Sequence, residues 1–218
     1  MDRSRLKIAA SFFDAGQTEA IRSAVAAAES RSSGEIAVIV VPESERYREA
    51  EKLGALLLAG LVSVVISVAS GHVSIWSYIP LVCLLFFPSL WLFRLCPLLK
   101  LSFAGPRRQI EAVRERALAT FYEKELHRTR EETGILIFIS LLERKVWILA
   151  DRGINERIKP GHWHGLARKL AGGVRAGRAA ETLCEVISEC GDELARHFPR
   201  RVDDVNELPD APLTLDRR

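Results

Sequence analysis

The sequence predicts an α/β protein: a small mixed sheet of at least three strands sandwiched by helices and interrupted by a two-helix transmembrane hairpin. Two observations carry that reading. Amphipathic helical patterns alternate with short β-branched runs along most of the 218 residues. Between them, the 41 residues from Leu53 to Phe93 contain no Asp, Glu, Lys or Arg, while both flanks are densely charged. A water-soluble helix needs a solvated face, so an uncharged span of this length does not fit an ordinary soluble core. The chain therefore divides into residues 1–52, the first part of the α/β domain; 53–93, the hairpin; 94–198, the rest of the domain; and 199–218, a polar, proline-containing tail expected to be loose.

The elements follow in order. In QTEAIRSAVAAAESR, residues 17–31, Ile21, Ala24, Val25 and Ala28 fall on one helical stripe, with Gly34 offering a stop. EIAVIVV, opened by Glu35 and closed by Pro42, reads as a strand covered on both faces. Residues 47–52 are polar and helical and run straight into the first apolar helix. About 20 apolar residues cross a bilayer, so the uncharged span allows two passages, near 53–70 and 73–93, broken at Ser70-Gly71-His72. Trp76, Tyr78 and Trp91 suit the headgroup levels, and Pro80 and Pro88 kink the second passage without forbidding it. The alternative is a buried helical hairpin in a large soluble core.

After the hairpin, Gly105-Pro106 begins a long helix with Ile110, Val113, Ala117 and Phe121 at helical spacing, ended by Gly134. ILIFIS and KVWILA, separated by a turn at residues 141–144, form an antiparallel pair. Residues 177–198 complete the domain with a helix whose apolar face holds Leu183, Ile187, Cys190, Leu194 and Phe198.

Basic residues set the orientation. Arg46, Arg48 and Lys52 precede the hairpin, and Arg94, Lys100, Arg107 and Arg108 follow it, whereas the turn between its helices carries none. This places both termini in the cytoplasm, with two passes. The start of the chain lacks an apolar stretch long enough for a secretory signal. The four cysteines have neither disulfide nor zinc spacing and read as apolar fillers in a reducing compartment. The small basic excess sits beside the hairpin, so lipid headgroups explain it better than nucleic acid.

The stretches AAAESRSSGEIAVIVVPE and FYEKELHRTREETGILIFISLLERKVWILADRGINERI, followed by a glycine-bearing stretch and a long helix, resemble the TPM domain. That family is named for a thylakoid lumen protein, a photosystem II repair protein and an accessory protein of an acetylcholine receptor. The resemblance covers about residues 11–198 apart from the hairpin, and it implies the same α/β fold. It also implies a choice of roles, since some members look like weak acid phosphatases, some bind calcium, and others support assembly or repair of membrane complexes. The family's acidic residue with Asn-Gly is matched by Glu132-Thr133-Gly134. Its Gly-x-Gly-x-Glu turn is matched by Asp151-Arg152-Gly153-Ile154-Asn155, with the first glycine and the terminal acid replaced. Most members lie outside the cytoplasm on a terminal anchor, whereas here the anchor is internal.

If the first two strands run parallel and the third runs back along the second, Glu35, the Glu131-Glu132 pair and Asp151 share one end of the sheet, with Glu29 within reach. With the amide oxygen of Asn155 they are hard oxygen ligands suited to calcium or magnesium. The alternative is that these acids cap helices and pair with Arg130, Arg152 and Arg157 on a solvated rim. His162-Trp163-His164 places its two histidines on different helix faces, so Trp163 reads as an apolar anchor with the histidines exposed. Gly172-Gly173 and Gly177 read as a flexible connection, and no organic cofactor motif is present.

Two functions fit. The first is a membrane-anchored accessory, assembly or maintenance factor docking on an integral membrane protein, with Gly54, Ala55, Ala59, Gly60 and Ser63 available for helix packing. The second is a divalent-cation-dependent weak phosphatase using the carboxylate rim.

Overall fold

The computed structural model describes residues 9, 11–71, 74–129, 132–200 and 212–214. In chain order the helices are α1 (Ala15–Glu29), α2 (Arg48–Ala69), α3 (Ile75–Leu95), α4 (Pro97–Glu123), α5 (Arg152–Asn155), α6 (Pro160–Arg175) and α7 (Ala179–His197). The strands are β1 (Glu35–Val41), β2 (Gly134–Ser140), β3 (Lys145–Ala150) and β4 (Leu213–Thr214). They form two compact units, one made of Met1–Ser44 with Ala112–Arg218 and one of Glu45–Glu111. The second unit is therefore longer than the uncharged span, because it takes in charged residues on both sides of the apolar helices.

The first unit is the α/β domain. Its sheet has the order β3-β2-β1-β4, with β1 parallel to β2 and β4, and β3 antiparallel to β2. The strand directions are those on which the expected rim depends. Every residue of β1 and β2 is buried, which is why both strands read as continuous apolar runs rather than as alternations. Ile36, Val38, Val40, Ile135, Ile137 and Ile139 face one core, filled from α1, α6 and α7. Ala37, Ile39, Val41, Leu136 and Phe138 face the other, closed by Val113, Ala117 and Phe121 from the end of α4 together with Leu126.

Several boundaries differ from the sequence expectation for local reasons. The first helix stops at Glu29, starting from a capping box in which Asp14 Oδ1 accepts from the Gln17 amide and the Gln17 side chain accepts from the Asp14 amide. Gly34 does not end it. A Cβ there would lie 2.8 Å from the Leu194 side-chain methyls, so glycine leaves room for α7. The long helix expected to begin at Gly105-Pro106 belongs to α4, which already starts at Pro97, is broken at Gly105 (φ 69°) and ends at Glu123 instead of running to Gly134. Gly172 and Gly173 lie inside α6 and are not a flexible connection. Gly173 lets α7 approach so closely that a Cβ would meet Thr182 Oγ1 at 2.2 Å. Gly177, at φ 74°, follows the end of α6. In the tail, Leu213 and Thr214 pair in parallel with Ile39 and Val40, so this part is edge strand where looseness was expected.

The apolar face expected for the last helix holds, with Leu183, Ile187, Cys190, Leu194 and Phe198 all buried. Burial in apolar surroundings pushes the Cys190 thiol far above its ordinary range and the half-buried Cys184 in the same direction. Both are thus poor nucleophiles.

The second unit is built on α2 and α3. Both helices are long and apolar enough to cross a membrane, and at 1.5 Å per residue they measure about 33 and 32 Å against a hydrocarbon core of about 30 Å. α2 begins directly after Tyr47, which is left-handed at φ 50°. The expected break falls at Ser70-Gly71, with Gly71 at φ 68°; His72 lies outside the described residues.

Candidate functional site

The expected carboxylate rim lies at the end of the sheet where β1 and β2 begin and β3 ends. Glu35 is in register with Gly134, and the Asp151 amide donates to Gly134 O at 2.9 Å, which continues the row beyond β3. Strand alternation puts this row on the face shared by Ala37, Leu136 and Leu149. Between the two acids, above Gly134, sits a backbone oxygen: a Cβ at residue 134 would come within 2.4 Å of Leu126 O. Gly134→Ala must therefore displace main chain beside a central strand. We expect it to cost about 1–3 kcal/mol, measured by thermal melting in detergent.

Glu35 is buried, and Glu29, Asp151 and Asn155 each also have a structural task. Glu29 Oε1 accepts from the Ile36 amide at 2.9 Å, holding the start of β1 to the end of α1. Asp151 caps α5, with Oδ1 accepting from the Arg152 amide at 2.7 Å. Asn155 Nδ2 donates to Ala150 O at 2.6 Å. Glu132 is exposed and left-handed at φ 54°, and with Glu156 it holds the Arg152 guanidinium above its ordinary pKa, Glu156 having the larger effect through a 3.0 Å hydrogen bond. Arg157 donates to His197 O at 2.7 Å and stacks over Phe198. Arg130 and Glu131 lie outside the described residues. Among the described residues, no three His, Cys, Asp or Glu side chains form a group able to hold a metal ion. The Asp151 Oδ2 atom is buried and has no hydrogen-bond partner among them.

Trp163 is a buried anchor, as expected. Its neighbours differ: His164 is exposed and edges onto Trp147 at 5.7 Å between ring centroids, whereas His162 is half-buried.

A polar cluster at the opposite end of the sheet was not anticipated. Ser44, Ser140 and Glu143 are all buried. Glu143 Oε1 accepts from the Ser44 amide at 3.1 Å, Glu143 Oε2 accepts from Ser140 Oγ at 2.5 Å, and Ser44 Oγ donates to Ser140 Oγ at 2.8 Å. These bonds fasten the exit of β1 to the turn between β2 and β3. In sequence, Ser44 and Glu143 sit in charged polar stretches with nothing to mark them as buried partners.

In the second unit the small residues have a definite use. Gly54, Ala55, Ala59, Ser63 and Ser67 are the buried face of α2. A Cβ on Gly54 would sit 2.3 Å from the Phe93 ring, and one on Gly60 would lie 3.4 Å from the Tyr78 hydroxyl. This stripe packs the hairpin against itself, so the expectation that it is free for an outside helix is corrected. Large apolar side chains point the other way, including Leu61, Val65, Leu84 and Phe87. Glu51 and Arg94 close the charged end with a 2.8 Å ion pair. Trp76, 87% exposed, lies near the turn end, and Trp91 lies near the charged end.

The NMR structure of the BA42 protein from the psychrophilic bacterium Bizionia argentinensis is similar, with a TM-score of 0.58 at 19% sequence identity over 93% of this chain and 95% of that one. The likeness is one of fold. No family model matches the chain, and no curated protein matches it.

Proposed function

We propose that this chain is a membrane-anchored TPM-like α/β domain that serves as an accessory, assembly or maintenance factor for an integral membrane protein complex. The observation that carries the anchoring is the arrangement of α2 and α3. In a core helix of a soluble protein the apolar window is mostly buried, but here only 28% of the window in α2 is buried, and none of that in α3. Small residues face inward and large apolar residues face outward, as expected where the surroundings are lipid. The seven basic residues within residues 45–111 all flank the hairpin and none lies at its turn, which supports a cytoplasmic open end. Because the small-residue stripe is used internally, docking on a partner runs through the large outward side chains. Photocrosslinkers at Leu84 and Phe87 in native membranes should recover one specific protein. Recovery of lipid and self contacts alone would reject the accessory role.

A second reading rests on the buried Asp151 Oδ2 and on the Leu126 carbonyl lying over Gly134 between Glu35 and Asp151. These oxygens suit calcium or magnesium, and with such a cation the rim supports the weak phosphatase alternative. Calcium titration of the full chain in detergent, followed by amide chemical shifts, should move residues near Glu35, Glu132 and Asp151. Flat titrations with calcium and with magnesium, each to millimolar concentration, remove the cation and the phosphatase together.

A further inference from the structure

We propose that residues 97–104, the first part of α4, form an interfacial shelf seated in an anionic lipid leaflet, with Leu98, Leu99 and Phe103 in the lipid and Lys100 turned inward as its tether. The inference rests on the membrane reading of α2 and α3 and adds a third lipid-contacting element to it. The segment is inside out for a helix in water. Leu98 is 62% exposed, with Leu99 and Phe103 also exposed, whereas Lys100 is only 5% exposed. At 100° per residue, Leu98, Leu99, Ser102 and Phe103 fall on one arc and Lys100 and Ala104 on the opposite one. In water the charged side chain would occupy the outer arc.

The inward lysine has a partner, since its Nζ donates to Arg46 O at 3.2 Å. Lys100 thus ties the chain leaving the hairpin to the chain entering it. Phe103 meets Phe93 edge-on at 5.5 Å between centroids, which holds the segment to the end of α3. At Gly105 the helical conformation breaks, so the shelf is a separate turn and not the start of a straight rod. The occupant is an anionic leaflet because exposed Arg46, Arg48, Lys52 and Arg107 belong to the same unit as the apolar arc. The exposed cations of that unit outnumber its exposed acids Glu49 and Glu111, and apolar side chains with a basic excess are the composition of interfacial membrane anchors.

Spin labels on the full chain test this. Leu98→Cys, Phe103→Cys, Leu61→Cys and Leu84→Cys would be made singly in a background with Cys83, Cys96 and Cys184 replaced by alanine, leaving buried Cys190. Each is reconstituted in phosphatidylcholine vesicles with and without phosphatidylglycerol. Labels at 98 and 103 should collide severalfold more with oxygen than with a nickel chelate, at a shallower depth than labels at 61 and 84, and should sit deeper when phosphatidylglycerol is present. Nickel access at 98 and 103, with 61 and 84 still in lipid, would overturn the shelf alone. Nickel access at all four would overturn the membrane reading with it. Exclusion of both reagents at 98 and 103, increasing with the protein-to-lipid ratio, would mean that a second copy covers the segment. Equal depth in the two vesicle types would overturn the anionic preference.

Discussion

Arginine placed together at Leu61 and Leu84 should remove the chain from the membrane. Both side chains point outward near the middle of their helices, 63% and 69% exposed. Each arginine at the centre of a membrane helix costs about 2.5–3.5 kcal/mol on insertion scales, so the pair should disfavour insertion by about 5–7 kcal/mol. The measurement is the fraction retained in membranes after alkaline carbonate extraction. If α2 and α3 were instead part of a water-facing surface, the same exposed positions would accept arginine at little cost, because substitutions at exposed sites rarely change stability by more than about 0.5 kcal/mol. Full retention of the folded double variant by the soluble fraction alone, with the parent chain also soluble, would end the membrane reading.

Glu143→Ala is expected to destabilise the α/β unit by about 3 kcal/mol. It removes both carboxyl oxygens from the buried cluster and leaves the Ser44 amide and the Ser140 hydroxyl without those acceptors. Glu143→Gln keeps the shape and one acceptor oxygen, so its cost should be roughly half as large. Thermal melting of the full chain in detergent checks both. A loss below about 0.5 kcal/mol for Glu143→Ala would show that the bonds from β1 to the turn after β2 do not hold the unit together. Since Ser44 is the last residue before the second unit, the cluster fixes the point at which the chain leaves the domain.

Much of the architecture was legible residue by residue. The strand runs EIAVIVV and ILIFIS are almost continuously apolar because both faces of the sheet are covered, and in EIAVIVV that continuity signalled a strand buried on both faces. The Gly105-Pro106 break and the polar start of α2 were likewise local, set by the conformational freedom of glycine and by helix-forming residues. The misread glycines show the limit. Gly34, Gly134 and Gly173 look like helix stops or flexible joints in sequence, yet each is small because another segment passes over it. The segments responsible lie from 8 to 160 residues away along the chain and belong to other elements, so helical or strand periodicity does not reveal them.

The candidate rim was found in sequence only because carboxylates recur next to strand ends. Which of them share a row depended on the parallel pairing of β1 with β2 and on β3 returning beside β2. The Ser44, Ser140 and Glu143 cluster could not be found that way, since serine and glutamate in charged stretches are ordinarily exposed and only the crossing of two strand ends buries these three.

By itself the sequence determined the alternation of helices and strands, the uncharged span with its basic flanks, and the apolar faces of α1 and α7, because each depends on neighbours within one element. The tertiary structure alone decided that the small residues of α2 serve α3, that Lys100 turns inward while Leu98 and Phe103 turn out, and that three buried polar side chains fasten the end of β1. These depend on which surfaces meet, and close packing of distant segments fixes that, not any local preference.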